Sequence, residues 1–242
     1  MDAKLKTTIM FDLGGTLAHY YTMSDFPSIL ERAVGQVQAL LQEKQIFTLS
    51  PDDVPRRVKE EDHESPDYRS RPLEDRLTRI FDLDAKVVTG ELLMEVCRRF
   101  MAPIFSRGKC YEDTLPALQE LKRRGFRTAI VSNTSWGSPS LLWREEVKRL
   151  SLDSYMDSVV LDRDVGWRKP AKRIFEHTLQ SLGVSAGECV FVGDEPKWDI
   201  TGPRNAGIDA VLIDRCEVHS NLREEAIKDL RSLGSMLKGP EG

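Results

Sequence analysis

The sequence lacks the features that mark several specialised classes of protein. Its 242 residues include four cysteines and four histidines, with no CxxC pair and no Cys/His cluster at zinc-site spacing. Apolar residues nowhere run long enough to span a bilayer, and the first residues lack the apolar stretch of a signal peptide. These absences argue against a disulfide framework, a zinc module and a membrane protein. We expect a reduced, cytoplasmic setting.

The sequence also lacks an excess of charge of one sign. Lysine and arginine number 35 and aspartate and glutamate 39, which gives a formal net charge of -4. A nucleic-acid-binding domain typically has a basic face, whereas the short basic runs here fall in helical patterns and indicate solvated helix faces. We therefore expect no nucleic-acid partner and no membrane partner. The oligomeric state stays open.

A carboxylate follows the first apolar run of the chain. The run Ile9–Phe11 ends at Asp12, which opens a turn containing Gly14 and Gly15. Such a run predicts a buried strand, and open α/β sheets present their reactive groups at the C-terminal ends of the strands. The motif alone is weak, because an aspartate before a Gly-Gly turn commonly just terminates a strand.

Later segments of the chain repeat this pattern of a polar group beside an apolar run or a helix start. The residues concerned are Ser132 with Asn133, Lys169 before Pro170, and Asp194 with Asp199. Strand ends lie side by side in a parallel sheet. We therefore expect Asp12, Ser132 and Asp194 to converge on one crevice, although they are far apart in sequence.

The periodicity of the apolar residues changes twice along the chain. After Leu17 it is helical until about Phe105, and from Asp113 onward helices and strands alternate. The predicted helices of the first block are Phe26–Lys44, Asp52–Glu61, Leu73–Phe81 and Gly90–Met101. The strands predicted in the second block cover residues 128–132, 158–161, 189–193 and 210–213.

Alternating strands and helices imply a parallel sheet with right-handed crossovers. The predicted fold class is α/β, with a Rossmann-like doubly wound parallel sheet core formed by residues 1–17 and 106–242. Residues 18–105 are then an insertion after the first strand and form a smaller α-helical cap over the strand ends. A terminal helix is predicted over Leu222–Leu237.

In this order, the motifs resemble the haloacid dehalogenase superfamily, which consists mostly of phosphatases. The resemblance covers residues 7–17 and nearly everything from 112 to 215. The family also places its cap after the first strand. The resemblance implies a hydrolase that acts on a small phosphorylated substrate through an aspartyl-phosphate intermediate, with Mg²⁺ as cofactor.

The implied catalytic roles suit phosphoryl transfer, which requires an in-line nucleophile and neutralisation of charge. By resemblance, Asp12 is the nucleophile. Ser132 and the amides after it, beginning at Asn133, bind the phosphoryl oxygens. Lys169 offsets their charge and pairs with Asp12. The alternatives are a strand-ending hydroxyl for Ser132 and a surface position for Lys169.

The implied metal ligands are oxygen atoms, which Mg²⁺ prefers. Asp12, the backbone carbonyl of Gly14 and Asp194 would hold the ion, with Asp199 supporting these ligands from behind or through water. The alternative for Asp194 and Asp199 is an acidic first turn of a helix, where carboxylates suit the helix dipole.

Gly14 departs from the family pattern. Family phosphatases carry a second aspartate two residues after the nucleophile, which protonates the leaving group and later activates water. Here that side chain is missing, so either turnover is slow or another group substitutes. His19, at the hinge into the cap, is the nearest titratable candidate; its alternative is a surface histidine among packing aromatics. We predict that His19 and Tyr20 contact the substrate.

Other functions remain open at this point. Haloacid dehalogenases also lack the second aspartate, but they usually carry tyrosine there and their metal-free chemistry does not need the acidic pattern of Asp194 and Asp199. A phosphonate hydrolase would need a cap lysine that forms a Schiff base, and no segment singles one out. A phosphate-binding or regulatory protein that lost efficient turnover is the alternative outside the enzymes.

Overall fold

The computed structural model describes residues 5–50, 52–84, 86–219, 226–237 and 240. The strands are β1 (Thr8–Phe11), β2 (Ala18–His19), β3 (Lys109–Cys110), β4 (Arg127–Ser132), β5 (Ser158–Leu161), β6 (Cys189–Gly193), β7 (Asp209–Ile213) and β8 (Ala226–Ile227). The helices are α1 (Phe26–Glu43), α2 (Asp53–Glu61), α3 (Leu73–Phe81), α4 (Gly90–Phe105), α5 (Thr114–Arg123), α6 (Ser140–Arg149), α7 (Asp162–Val165), α8 (Lys172–Leu182), α9 (Gly202–Asn205) and α10 (Leu233–Met236).

A parallel sheet of six strands forms the core, in the order β5-β4-β1-β6-β7-β8. Phe11 of β1 lies opposite Ile130 of β4 and Val192 of β6. The central strands therefore end at nearly the same level, and the residues that follow them share one edge. This confirms the predicted α/β, Rossmann-like fold class.

Both faces of the sheet are covered, which explains the continuous apolar strands. Ile9 and Phe11 pack into one hydrophobic cluster, while Met10, between them, packs into a second cluster with Phe175 of α8. Alternate side chains of a strand point to opposite faces, so a strand covered on both sides is apolar at every position.

The helices α1 to α4 lie between β2 and β3, two short antiparallel strands that pair Ala18 with Cys110. Helix α1 buries Ile29, Ala33, Val37 and Leu40, whose spacing of three or four residues forms one apolar face. The first three helices match their predicted bounds within one residue. Helix α4 continues beyond the predicted Met101 to Phe105. None of the helices among the described residues is long and apolar enough to cross a membrane.

The cap packs on the loop that follows β4. The indole of Trp136 in this loop is buried between the Arg76 guanidinium, 4.0 Å from the ring centre, and the Phe100 ring at 5.3 Å. Gly137 comes so close to the cap that a Cβ there would lie 1.8 Å from the carbonyl oxygen of Arg71. The loop that carries the predicted phosphate-binding residues is therefore fixed by the cap.

The prediction of a terminal helix over Leu222–Leu237 is wrong for the described part of that range. Residues 222–225 lie outside the described residues. From there the chain forms β8, a 3-10 turn over Leu230–Ser232 and only the short helix α10. The backbone of β7 would otherwise be an unpaired edge, and pairing with β8 satisfies it while burying Ile227.

Candidate active site

The predicted residues meet at the C-terminal edge of the sheet. Asp12 follows β1, and its amide donates to the carbonyl of Val192 in β6 at 2.9 Å. Ser132 ends β4, and its hydroxyl donates to Asp12 Oδ1 at 2.8 Å across 120 residues of sequence. Both side chains are buried. The shared strand level described above is what brings them together.

Lys169 joins this pair from the segment between β5 and α8. Its Nζ lies 2.6 Å from Asp12 Oδ1 and 2.6 Å from Asp199 Oδ1. Burial alone would lower the pKa of Lys169, but the charges of Asp12 and Asp199 outweigh burial and raise it. Lys169 therefore stays protonated and holds one oxygen of Asp12 in place.

Asn133 positions the lysine. Its Oδ1 accepts from the backbone amide of Lys169 at 2.8 Å, and its Nδ2 donates to the carbonyl of Lys169 at 3.2 Å. The side chain that the sequence predicted as substrate-binding is thus engaged with the lysine segment. Contact between Asn133 and a phosphoryl group would come from its backbone amide or from the second N–H of its side chain.

Three carboxylates are crowded at this edge. One oxygen each of Asp12, Asp194 and Asp199 lies within 4.8 Å of the others. Burial, with the charges of Asp12 and Asp199, raises the pKa of Asp194 to about 8. Burial also raises the pKa of Asp199 to about 6, although Lys169 opposes the shift. Repulsion between like charges so close together in a buried site is relieved either by protonation or by a bound cation.

The donor set fits a hard divalent cation such as Mg²⁺. Asp194 has a hydrogen bond from Thr16 Oγ1 at 3.2 Å, and no ion pair within the described residues neutralises it. Asp199 differs, because one oxygen binds Lys169 and the other accepts the amide of Glu195 at 3.1 Å. This arrangement favours a supporting place for Asp199, with Asp12 and Asp194 facing the ion.

Glycines make room for the acidic cluster. Gly15 has a left-handed φ of +81°, and a Cβ there would lie 2.1 Å from Asp194 Oδ2. A Cβ on Gly193 would lie 2.3 Å from Cβ of Asp199. Side chains at these two positions would displace the carboxylates, so the glycines are required by close approach.

Gly14 faces a tyrosine. A Cβ on Gly14 would lie 3.6 Å from Cδ2 of Tyr20, at ordinary contact distance. The Tyr20 ring is 5% exposed and packs edge-on against Trp143 at 5.6 Å. Burial and the charge of Glu146 raise the pKa of the Tyr20 hydroxyl far above its usual range. Tyr20 thus fills space beside Gly14, and its predicted contact with substrate stays untested.

His19 lies on β2, with its ring 6.2 Å from that of Tyr111 in an edge-on contact. No hydrogen bond joins His19 to Asp12 in the described part of the chain. The structure therefore places His19 beside an aromatic side chain and does not bring it into the network of Asp12, Ser132 and Lys169. Its predicted role as a substitute acid stays a prediction.

Sequence reasoning missed Asp162, which is fully buried beside the site. It accepts the amide of Thr134 at 2.7 Å and the hydroxyl of Ser70 at 2.6 Å, so it ties the loop after β4 to the cap. Burial raises the pKa of this carboxyl. The signal was available, because Asp162 directly follows the apolar strand β5, just as Asp12 follows β1.

A family model covers most of the chain, including all of the residues that meet at this site. The model of haloacid dehalogenase-like hydrolases matches residues 6–207, and the chain belongs to that family. The predicted resemblance is thereby confirmed.

Individual relatives are similar over parts of the chain. Phosphatase MT3486 of Mycobacterium tuberculosis is 33% identical over 56% of this chain and 58% of its own length. The glyceraldehyde 3-phosphate phosphatase of Methanopyrus kandleri is 28% identical over 86% of this chain and 83% of its own length. The chain thus spans less than two thirds of the mycobacterial relative.

A solved structure extends the similarity to the whole architecture. The crystal structure of a HAD phosphatase from Thermococcus onnurineus has a TM-score of 0.67 and 27% identity, with 97% of this chain and 99% of that one covered. Both the core and the helical block therefore have a counterpart in one known phosphatase.

Proposed function

We propose that this protein is a Mg²⁺-dependent phosphatase that hydrolyses a small phosphorylated substrate through an aspartyl-phosphate on Asp12. The observation that carries the proposal is the fixed geometry of Asp12, whose Oδ1 accepts from both Ser132 and Lys169. The similarity to relatives named as phosphatases supports it. Residues 18–105 would act as the cap of a core formed by 1–17 and 106–242, and a cytoplasmic location stays a prediction.

The geometry suits nucleophilic attack by one defined oxygen. Two donors hold Asp12 Oδ1, so Oδ2 is the oxygen available to attack phosphorus. As the new O–P bond forms, the bond from phosphorus to the leaving oxygen breaks. Lys169 has a third N–H and Ser132 can turn its hydroxyl away from Asp12 Oδ1, so both would then donate to the phosphoryl oxygens. A Mg²⁺ ion held by Asp12, Asp194 and the carbonyl of Gly14, with Asp199 in support, would supply further positive charge there.

Proton transfer is the step of this mechanism for which Gly14 supplies no side chain. Gly14 offers no carboxyl group to protonate the leaving oxygen or to activate the water that attacks the intermediate. Tyr20, the side chain beside it, stays protonated and buried. Leaving groups that depart without protonation, such as acyl or aryl groups, should therefore react best, and hydrolysis of the intermediate should lag behind its formation.

The test compares Asp12→Asn with Asp153→Asn, a matched change at an exposed aspartate. Asparagine is nearly isosteric with aspartate but a poor nucleophile, so we expect Asp12→Asn to lower Mg²⁺-dependent phosphate release from an aryl phosphate by about 10³-fold or more. The control should keep full activity, and circular dichroism should show both variants folded. A folded, fully active Asp12→Asn would refute the proposal.

Halide release from 2-haloacids, measured in parallel after exhaustive chelation, addresses the dehalogenase alternative. Metal-independent halide release without phosphate release would replace the proposed reaction with dehalogenation. Absence of both activities at high protein concentration would favour a phosphate-binding role.

A further inference from the structure

A cavity of about 290 Å³ lies at the margin of the network around Asp12 and shares Lys169 with it. Three segments distant in sequence form its walls: the loop between α2 and α3, the segment between α7 and α8, and the segment after β6. The lining residues that matter here are Glu64, Tyr68, Arg168, Lys169, Lys197 and Trp198. Its volume is close to the lower end of the range for small-molecule sites, about 300–1,000 Å³.

Backbone hydrogen bonds fix the cap side of this cavity. The amide of Arg168 donates to the carbonyl of Tyr68 at 2.8 Å, and the amide of Ser70 donates to that of Gly166 at 3.0 Å. Tyr68 adopts a left-handed φ of +62°, an unfavourable conformation for a residue other than glycine. The backbone of Tyr68 is therefore held in a defined position at the cavity.

The cavity carries more positive than negative charge. Arg168 pairs with Glu64, but its Nε is buried without a hydrogen-bond partner among the described residues. Lys197 lies 5.5 Å from the ring centre of Tyr68 and has no carboxylate partner in the described part of the chain. The ammonium group of Lys197 is thus left for an anion, and the Arg168 guanidinium adds positive charge to the same cavity.

Aromatic surface accompanies this charge. Tyr68 is 38% exposed and Trp198 is 40% exposed, and both line the cavity. Exposed aromatic rings offer flat apolar faces to the carbon skeleton of a ligand. Lys169 both lines the cavity and binds Asp12, so the cavity adjoins the network around Asp12 at this residue.

We propose that this cavity binds the non-reacting half of the substrate and selects a leaving group that carries a second anionic group, a carboxylate or a second phosphate. Arg168 and Lys197 recognise that anion, and Tyr68 and Trp198 cover the carbon skeleton. A substrate with a neutral leaving group offers no partner to the exposed ammonium group of Lys197. This inference rests on the proposed phosphatase function.

The test uses three matched aryl phosphates: 4-hydroxymethylphenyl phosphate, 4-carboxyphenyl phosphate and 1,4-phenylene bisphosphate. We expect kcat/KM to be about tenfold higher for at least one anionic compound than for the neutral one, mainly through KM. Comparison of 4-carboxyphenyl phosphate with 1,4-phenylene bisphosphate identifies which anion is preferred. Equal kcat/KM for all three compounds would overturn the proposal.

Lys197→Met should reduce this preference about tenfold, because it removes the exposed ammonium group while keeping the length of the side chain. Lys172→Met is the matched control, since Lys172 is an exposed lysine that pairs with Glu176 on α8. The control should keep the wild-type ratio. A preference that survives Lys197→Met unchanged would overturn the assignment to this cavity.

Binding separates this inference from the proposed function. Calorimetric titration of Asp12→Asn with 4-carboxyphenyl phosphate and with 1,4-phenylene bisphosphate, in the presence of Mg²⁺, needs no turnover. For the preferred anion, about tenfold weaker binding after adding Lys197→Met would support the cavity even if no phosphate release is found. Unchanged binding of both compounds would overturn the cavity even if the protein proves to be a phosphatase.

Discussion

Asp12 lies between two flanks of opposite character. Toward β4 and β6, Ser132, Lys169 and Asp199 form a continuous buried network of hydrogen bonds and ion pairs. Toward the hinge, Gly14 has no side chain and Tyr20 fills the adjacent space with an aromatic ring. The contrast teaches that the charged and hydrogen-bonding side chains lie on one side of Asp12, while the position where the family resemblance leads us to expect a second aspartate has no side chain.

The charged flank should be the more sensitive of the two. Lys169→Met would leave Asp12 and Asp199 without their shared cation, and we expect phosphate release to fall by about 10²–10³-fold. The free energy of unfolding at neutral pH should fall by about 3–5 kcal/mol without metal, because uncompensated buried charge is costly. Single-turnover kinetics and urea unfolding measure these effects, with Lys172→Met as control. Unchanged activity would show that the network does not stabilise the reaction.

Adding a carboxyl group on the side of Gly14 and Tyr20 should raise the rate of alkyl phosphate hydrolysis. Gly14→Asp places a proton donor beside the proposed nucleophile. We expect the ratio of alkyl to aryl phosphate hydrolysis rates to rise about 10²-fold over the ratio of the wild type. The nearby Tyr20 ring limits the gain, so Gly14→Asp with Tyr20→Ala should exceed the single variant. Gly14→Asn is the control without a titratable group. If Gly14→Asp changes neither substrate class, Gly14 belongs to different chemistry.

The stability of the protein, and the gain in stability on binding Mg²⁺, should both depend on pH. The folded-state pKa values of Asp194 and Asp199, about 8 and about 6, exceed the ordinary value of 3.8. A raised pKa stabilises the fold at low pH, and this contribution is lost as the pH rises through those values.

The metal-free protein should therefore become less stable between about pH 4 and pH 8. Mg²⁺ at 100 times its Kd should restore about 2.7 kcal/mol near pH 8 and less near pH 5. Thermal melts with EDTA or with Mg²⁺ across this pH range provide the measurement. In Asp194→Asn, the melting temperature should depend less on pH. Equal stabilisation by Mg²⁺ at both pH values would contradict this account.

The smallest effect is expected at His19. Since its ring contacts Tyr111 and makes no hydrogen bond to Asp12, His19→Ala should change stability and activity by no more than about 0.5 kcal/mol. Alkyl and aryl phosphate hydrolysis measured in the same preparation test this. Selective loss of alkyl phosphate hydrolysis would instead assign proton transfer to His19 and remove the contrast between the flanks.

The sequence by itself determined the parallel sheet and the meeting point of Asp12, Ser132 and Asp194. Continuous apolar runs define strands that are buried on both faces, and the ends of parallel strands share one edge. These are local patterns combined with a general rule of topology, so no knowledge of distant contacts was needed. The catalytic roles of these residues stay predictions.

Only the tertiary structure decided how the side chains are used. Asn133 holds the backbone of Lys169, Asp199 gives its carboxylate to the same lysine, and Tyr20 packs beside Gly14. The cavity joins Tyr68 of the cap to Lys197 of the core. Each of these contacts depends on packing between segments distant in sequence or on a local side-chain conformation. Neither periodicity nor motif spacing encodes such information, because both describe a residue's place along the chain and not its neighbours in space.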